Sequence, residues 1–397
     1  MADKAEAGVD YKKGNKKLGK LIKKNLESFT YTDVASGKSD SISATVANLD
    51  MEWMGDNMPP KGAEITMTIV PKYWGSTKAF ECGTFIIDDI SFSGRPLICN
   101  IGGVSTPTMQ DFKSEPKTKT WEKATLKDIA SKLGQAAGIN VYYEGDSIQI
   151  KEYEQNNQTD SAFLYSLCEK YGMAMKVYNK KLVIFDPVKY EAKAAVRKIK
   201  EKEMIKWSYN TTIEGTYTGV SLKWTDPDKD SITVTQGEKG RMYSVNIQAT
   251  SKYDAELQAA AMVNEANRKI ETIDFTIPGN YPLSAAQCIR INGLKNADGK
   301  YYIDSIKHSV GTGGYTMQIQ AHKVQSPIKV NITQKEKEEE KAKQKATEKK
   351  QTSGIRRPEK DETVTVNGNT VTTEEYVLSR SAKIAKEVQK NHVRYMD

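Results

Sequence analysis

Residues able to carry a reaction are few and scattered. Among 397 residues there are three histidines (His308, His322, His392) and four cysteines (Cys82, Cys99, Cys168, Cys288). The cysteine gaps are wide and contain no C-x-x-C pair, so metal-ligand spacing is absent. Paired carboxylates occur at Asp88-Asp89 and at Asp226 and Asp228. Adjacent strand residues point to opposite faces, whereas glycosidase acids must face one another across a sugar. Asp226-Pro-Asp228 reads as turn chemistry. Strand alternation puts His308 on the face of Tyr302, Asp304 and Ile306. No nucleophile elbow lies beside it, so it reads as a hydrogen-bonded structural histidine. Cys168 falls on an apolar helical stripe, where a thiol acts as a small hydrophobe. Gly311-Thr-Gly-Gly314 lies between two strands, not between a strand and a helix, so it reads as a hairpin turn and not a phosphate loop. The five tryptophans are dispersed and read as packing or interface anchors, not as a stacking platform. These features predict no enzyme, no metal, no cofactor and no small-molecule substrate.

The elements that would position these residues are mostly strands. Segments 28–32, 41–48, 64–71, 79–92 and 96–104 alternate apolar and polar residues between short turns, one of them Pro59-Pro60-Lys61-Gly62. Composition then changes. Helical spacing over 125–135, with Thr125 as N-cap, and over 160–171, closed by Gly172, is interleaved with short strands at 139–143, 148–151, 173–177 and 181–185. Strand signals return at 203–210, 215–225, 231–236 and 241–248, then at 272–277, 288–293, 300–310 and 314–324, with an Ala-rich helix over 251–271. The predicted class is β-rich α+β: two antiparallel β-barrels flanking a small α+β insert, with a charged and helical C-terminal extension. The expected divisions are a basic segment 1–24, a first barrel 25–105, an insert 106–202, a second barrel with one helix 203–326, and a tail 327–397. A weak internal repeat is expected between the β-rich regions.

The net charge of +8 sits at the two ends. Residues 1–24 hold eight lysines against three acids, and the tail is also basic. A nucleic-acid groove would place the excess on the folded domains, so dedicated nucleic-acid binding is not expected. No run approaches the length of a membrane helix, and the Lys-rich start lacks the apolar stretch of a secretory signal. Residues 334–351, almost all Lys, Glu, Ala and Gln, read as a solvated helix or linker. A small hairpin is expected around Asn367-Gly368. A helix over 373–392 would then carry Tyr376, Val377, Ile384 and Val388 towards a partner.

Several segments together resemble a known family. Gly37–Ser41 and Gly83–Gly94 are similar to the first barrel of the phage late control D proteins. Trp121–Ala130, Ala162–Gly172 and Lys181–Asp186 are similar to that family's insert. Gly299–His308 and Gly313–Ile319 resemble the end of its second barrel. The resemblance covers about residues 20–325, and Leu283–Ala286 departs from it where a Pro-Gly-type turn is expected. It implies a baseplate hub of a contractile tail, in a phage, a phage-tail-like bacteriocin or the upper part of a type VI spike. Such a hub is a homotrimer with two tube-like barrels per chain. It joins a hexameric tail tube protein to a trimeric central spike protein, with the tape-measure protein and other baseplate subunits as further partners. It is made in the bacterial cytoplasm and assembled into an extracellular particle. The interface candidates are Trp53, Trp74, Phe85 and Ile87 in the first barrel and Tyr301, Tyr302 and Ile306 in the second. The rival readings are a tail-associated cell-wall hydrolase, which needs a catalytic set, and a carbohydrate- or nucleic-acid-binding β module.

Overall fold

The structure, a computed structural model, describes residues 5–10, 16–71, 79–105, 111–213, 216–224, 232–237, 240–247, 249, 251–279, 282–328, 363–366 and 369–372. The chain divides into two compact units, Met1–Val330 and Asn331–Asp397.

In the first unit, β1 (Ala5–Asp10) and α1 (Lys16–Asn25) lead into a β-rich block. That block is formed by β2 (Leu26–Val34), β3 (Ser41–Ala47), β4 (Glu64–Pro71), β5 (Phe80–Ser93) and β6 (Ile98–Val104). Burial alternates along β2, β3 and β6, as a half-buried antiparallel sheet requires. The basic N-terminal segment joins this block. β1 pairs with the outer edge of β4, and Ile22 of α1 enters the core.

The insert begins with α2 (Asp111–Ser114) and β7 (Pro116–Thr125), and continues through α3 (Leu126–Ala136), β8 (Asn140–Glu144) and β9 (Gln149–Thr159). It then runs through α4 (Asp160–Lys170), β10 (Ala174–Tyr178), β11 (Lys181–Phe185) and α5 (Pro187–Ala192). Thr125 and Asp128 form a reciprocal capping box on α3, and Thr159 caps α4. Strands β10, β11 and β8 make a small sheet, β7 and β9 pair as a ribbon, and the two main helices pack with them around one apolar core.

The second β-rich region holds β12 (Arg197–Lys200), β13 (Lys206–Thr211), β14 (Gly219–Trp224), β15 (Ile232–Gly237) and β16 (Met242–Ile247). After these come α6 (Lys252–Arg268), β17 (Glu271–Pro278), β18 (Cys288–Asn292), β19 (Gly299–Gly311) and β20 (Gly314–Lys323). Helix α6 was expected across the second barrel. It packs instead on the separate β15-β14-β16 sheet, because Ala255, Ala259 and Val263 lie at four-residue spacing against Val220, Leu222 and Ile247. Its other flank meets the insert, where Tyr171 Oη donates to Asp254 Oδ1 at 2.9 Å.

The two β-rich regions are not closed off from each other. A single twelve-stranded sheet runs β1-β4-β5-β6-β3-β2-β19-β20-β17-β13, with β18 beside β19 and β12 beside β18. One apolar core draws on both, from Phe29, Ile65 and Phe85 to Phe275, Ile289 and Ile319. In the second unit, β21 (Thr363–Val366) and β22 (Asn369–Thr372) pair antiparallel, and Asn367-Gly368, where a turn is expected, lies outside the described residues. The charged stretch 334–351 and the helix expected over 373–392, with Tyr376, Val377, Ile384 and Val388, lie outside the described residues.

Candidate assembly interface

The ladders align the two β-rich regions with each other. Across the sheet the first runs β2-β3-β6-β5-β4 and the second runs β13-β17-β20-β19-β18. In chain order both read first, second, fifth, fourth, third, with every pair antiparallel. Residue registers agree through all four ladders. Tyr31 faces Ile42 as Tyr209 faces Ile273. Ala44 faces Ile101 as Phe275 faces Ile319. Ile90 faces Ile101 as Ile306 faces Ile319. Ile65 faces Phe85 as Ile289 faces Tyr301.

The central strands also share a sequence. Gly83-x-Phe85-x-Ile87-Asp88-x-Ile90 matches Gly299-x-Tyr301-x-Ile303-Asp304-x-Ile306. Each strand is bulged at its aspartate. The register steps from Ile87 to Asp89 against β6 and from Ile303 to Ser305 against β20. A bulge shifts side-chain alternation by one residue. His308 therefore does not share a face with Tyr302 and Asp304 as alternation predicted; it turns inward with Ile306 and Val310.

The two copies of this motif meet where β2 pairs with β19, from Val34 opposite Ser305 to Ser28 opposite Gly311. At this seam His308 stacks on Tyr31, with ring centroids 5.5 Å apart, and its Nδ1 lies 2.6 Å from Tyr315 Oη. Burial pushes the His308 pKa down to about 4, so the ring is neutral. Beside it lies a buried ionic cluster. Lys176 Nζ, reaching from the insert, donates to Asp33 Oδ1 at 2.6 Å and contacts Asp40 Oδ1 at 3.1 Å. Tyr31 Oη donates to Asp40 Oδ2, and the backbone N–H of Ala285 donates to Asp33 Oδ2. Burial drives the Asp40 pKa up to about 6, opposed by Lys176 and reinforced by Asp33. The first block, the insert and the second block are thus pinned at one point.

Six of the seven interface candidates in the two blocks are buried within the chain. Trp53, Phe85, Ile87, Tyr301 and Ile306 are buried in the common core, and Tyr302 is buried against Cys288 and Ala35. They shape the sheet from inside and offer no surface to another chain. Trp74 lies outside the described residues. Asp88 and Asp89 are adjacent and exposed on the β5 bulge. Gly311–Gly314 is the expected two-residue hairpin turn. Asp226 and Asp228 lie outside the described residues. Cys168 is buried, and burial pushes its thiol up to about 12. Among the described residues no cluster of His, Cys, Asp or Glu could hold a metal ion.

What stays open is backbone. Strand β13 pairs with β17 on one side, and its other edge carries no ladder among the described residues. Strand β5 extends past the end of β4, so its edge beyond Ile87 is likewise without a ladder there. Trp207, on β13, is 46% exposed, whereas its counterpart Phe29, covered by β19, is fully buried. Ile205 and Ile213 flank β13 and are also exposed. Alternation marks Ile205 and Trp207 as strand, and only the sheet order shows that β13 forms an edge.

A family model described as YQBQ-like matches residues 179–322. The 43 kDa tail protein of prophage MuSo2 from Shewanella oneidensis superposes with a TM-score of 0.59 at 14% identity, over 80% of this chain and 98% of that one. A tail protein from Neisseria meningitidis MC58 gives 0.61 at 10% identity, over 81% and 97%. An E. coli component of the type VI secretion system, described as structurally similar to the T4 tail proteins gp27 and gp5, gives 0.50 at 9% identity, over 78% and 76%. No curated protein sequence matches the chain. The chain therefore has the β-rich fold of phage tail proteins, shared with a type VI component.

Proposed function

We propose that this protein is a non-enzymatic structural part of a phage-type tail, the hub of the late control D kind that joins a hexameric tube to a trimeric spike. The observation that carries the reading is the duplicated five-stranded block. A chain offering one tube-like surface could meet six sites or three, but not both. A trimer whose chains each carry two equivalent blocks presents six sites on one side and three on the other. The fold shared with tail proteins and a type VI component supports the same assignment. Its partners on this reading are two further copies, the tail tube protein and the central spike protein, with the tape-measure protein or another baseplate subunit as the partner of residues 331–397. The particle is extracellular, whether phage, bacteriocin or secretion machine.

Native mass measurement and averaging of the purified assembly test the proposal. A threefold particle that binds recombinant tube protein supports it. A stable monomer, or a lytic band on a peptidoglycan zymogram, overturns it.

A further inference from the structure

We infer that the groove formed by β12, β18 and the start of β19 is a docking site for an acidic segment of another protein. All of its residues come from one chain, so the site does not depend on the hub reading.

The ladders set three cations in a row. Lys198 on β12 lies beside Arg290 on β18, and Arg290 lies beside Lys300 on β19. Cross-strand neighbours share a face, and strands are about 4.8 Å apart, so the row spans about 10 Å. Lys198 and Arg290 are exposed and Lys300 is half-buried. On the opposite face Ile199, Ile289 and Ile291 are fully buried in the common core. The backbone that carries the row is therefore fixed. The three cations line a groove of about 490 Å³. Arg197 also lines it, but is already paired with Glu203 at 2.8 Å. The rest of the lining is apolar, from Ala194, Ala195 and the 44% exposed Val196. No carboxylate lines the groove, and among the described residues Lys198, Arg290 and Lys300 make no ion pair.

Like charges directly opposite one another destabilise a sheet. The chain's excess positive charge sits at its two ends, so a uniformly basic body does not account for the row. An acidic occupant relieves the repulsion, and a peptide suits the lining better than a nucleic acid does. Carboxylates at alternate positions of an extended segment are about 7 Å apart, so two of them cover a row of this length. Small apolar residues between them meet Ala194, Ala195 and Val196. A duplex needs a longer basic track. A single strand needs aromatic rings to stack on, and none lines the groove.

A labelled peptide of alternating Glu and Ala, titrated against the full chain by fluorescence anisotropy, tests the site. Lys198→Gln, Arg290→Gln and Lys300→Gln made together should weaken binding about tenfold. The same loss of charge on α1, by Lys20→Gln, Lys23→Gln and Lys24→Gln, should change it by less than about twofold. The melting temperature of the groove variant should hold or rise, because the repulsion along the row is gone. No binding, or an equal loss in both variants, overturns the assignment. So does tighter binding of a labelled oligonucleotide of equal charge, single-stranded or duplex. A lower melting temperature in the groove variant overturns it too, since the cations would then serve the fold.

Discussion

Gly62 and Ala286 occupy the same left-handed corner, one in each block. Their φ angles are 82° and 63°, and each donates its N–H to the carbonyl of the motif isoleucine, Ile87 or Ile303, at 2.7 and 2.9 Å. Each of those isoleucines donates back to the residue after the corner, Ala63 or Gln287. The Leu283–Ala286 departure from the expected Pro-Gly turn is therefore a change of residue on a retained backbone.

A side chain in the left-handed region costs about 1–2 kcal/mol, part of which is offset by the lower entropy of the unfolded chain. Ala286→Gly should stabilise the protein by about 0.5–1 kcal/mol. Gly62→Ala should destabilise by a similar amount through the backbone alone, since a Cβ there would meet nothing within 4 Å. Urea midpoints of both variants and of the double variant check this, and the double variant should return close to the parent. A loss of stability in Ala286→Gly would contradict the shared corner.

Most strands are legible in the sequence because one face of each is buried and alternation is strong, as in β3 and β6. The ribbon strand β7 is not, because its residues are mainly Lys, Thr and Glu and only Trp121 and Ala124 are buried. The duplication is hard to see for a different reason. The β14–β16 sheet and α6 are inserted between β13 and β17, so equivalent residues keep no constant spacing along the chain, and the shared sequence is concentrated in Gly83–Ile90 and Gly299–Ile306. The open edges of β13 and β5 are illegible for a third reason. An edge is defined by which strand fails to find a neighbour, and that depends on the whole sheet. Large aromatic and aliphatic residues such as Phe85 and Tyr301 marked the core, not the surface.

Lys176 should behave as a buried counter-ion. Removing one partner of a buried ionic cluster typically costs about 3–5 kcal/mol, and Lys176→Met should cost that at pH 8. Asp40 already has its pKa raised to about 6 by burial, against the pull of Lys176; without the lysine it rises further. The folded variant then holds a proton that the unfolded chain has released, so lowering the pH stabilises the variant more than the parent. The deficit should shrink between pH 8 and pH 5. Denaturation curves at both pH values measure it, and a deficit independent of pH would argue against a charge role for Lys176.

His322 should make stability fall in alkali. Its Nδ1 lies 2.8 Å from Asp304 Oδ1, and its Nε2 lies 3.4 Å from Glu191 Oε1, which is also held by Arg268 Nε at 2.6 Å. Burial alone would lower its pKa, but the two carboxylates outweigh burial and raise it to about 9. A histidine with a raised folded pKa contributes its full stabilisation below the unfolded value near 6.5 and loses it as pH rises through the folded value. Between about pH 6.5 and pH 9 the parent should lose on the order of 3 kcal/mol relative to His322→Gln. Melting temperatures across that range test it, and parallel curves for the two proteins would refute the assignment.

The boundary of the first unit gives a prediction about truncation. The tail was expected to begin at residue 327, yet the compact unit runs to Val330. The reason is Ile328. Its N–H donates to Asn264 Oδ1 at 2.8 Å, its carbonyl accepts from Asn264 Nδ2 at 3.0 Å, and its side chain packs with the α6 cluster. Among the described residues, the core clusters of that unit draw on nothing beyond it. A chain ending at Val330 should keep the melting temperature of the full chain within a degree or two. A chain ending at Ser326 leaves both polar groups of Asn264 without their Ile328 partner and exposes α6. It should lose about 2 kcal/mol, from two hydrogen bonds and part of an apolar side chain. Calorimetry of the two truncations separates the cases. Equal stability would show that the clamp contributes nothing, and failure of the 1–330 chain to fold would show that residues 331–397 belong to the core.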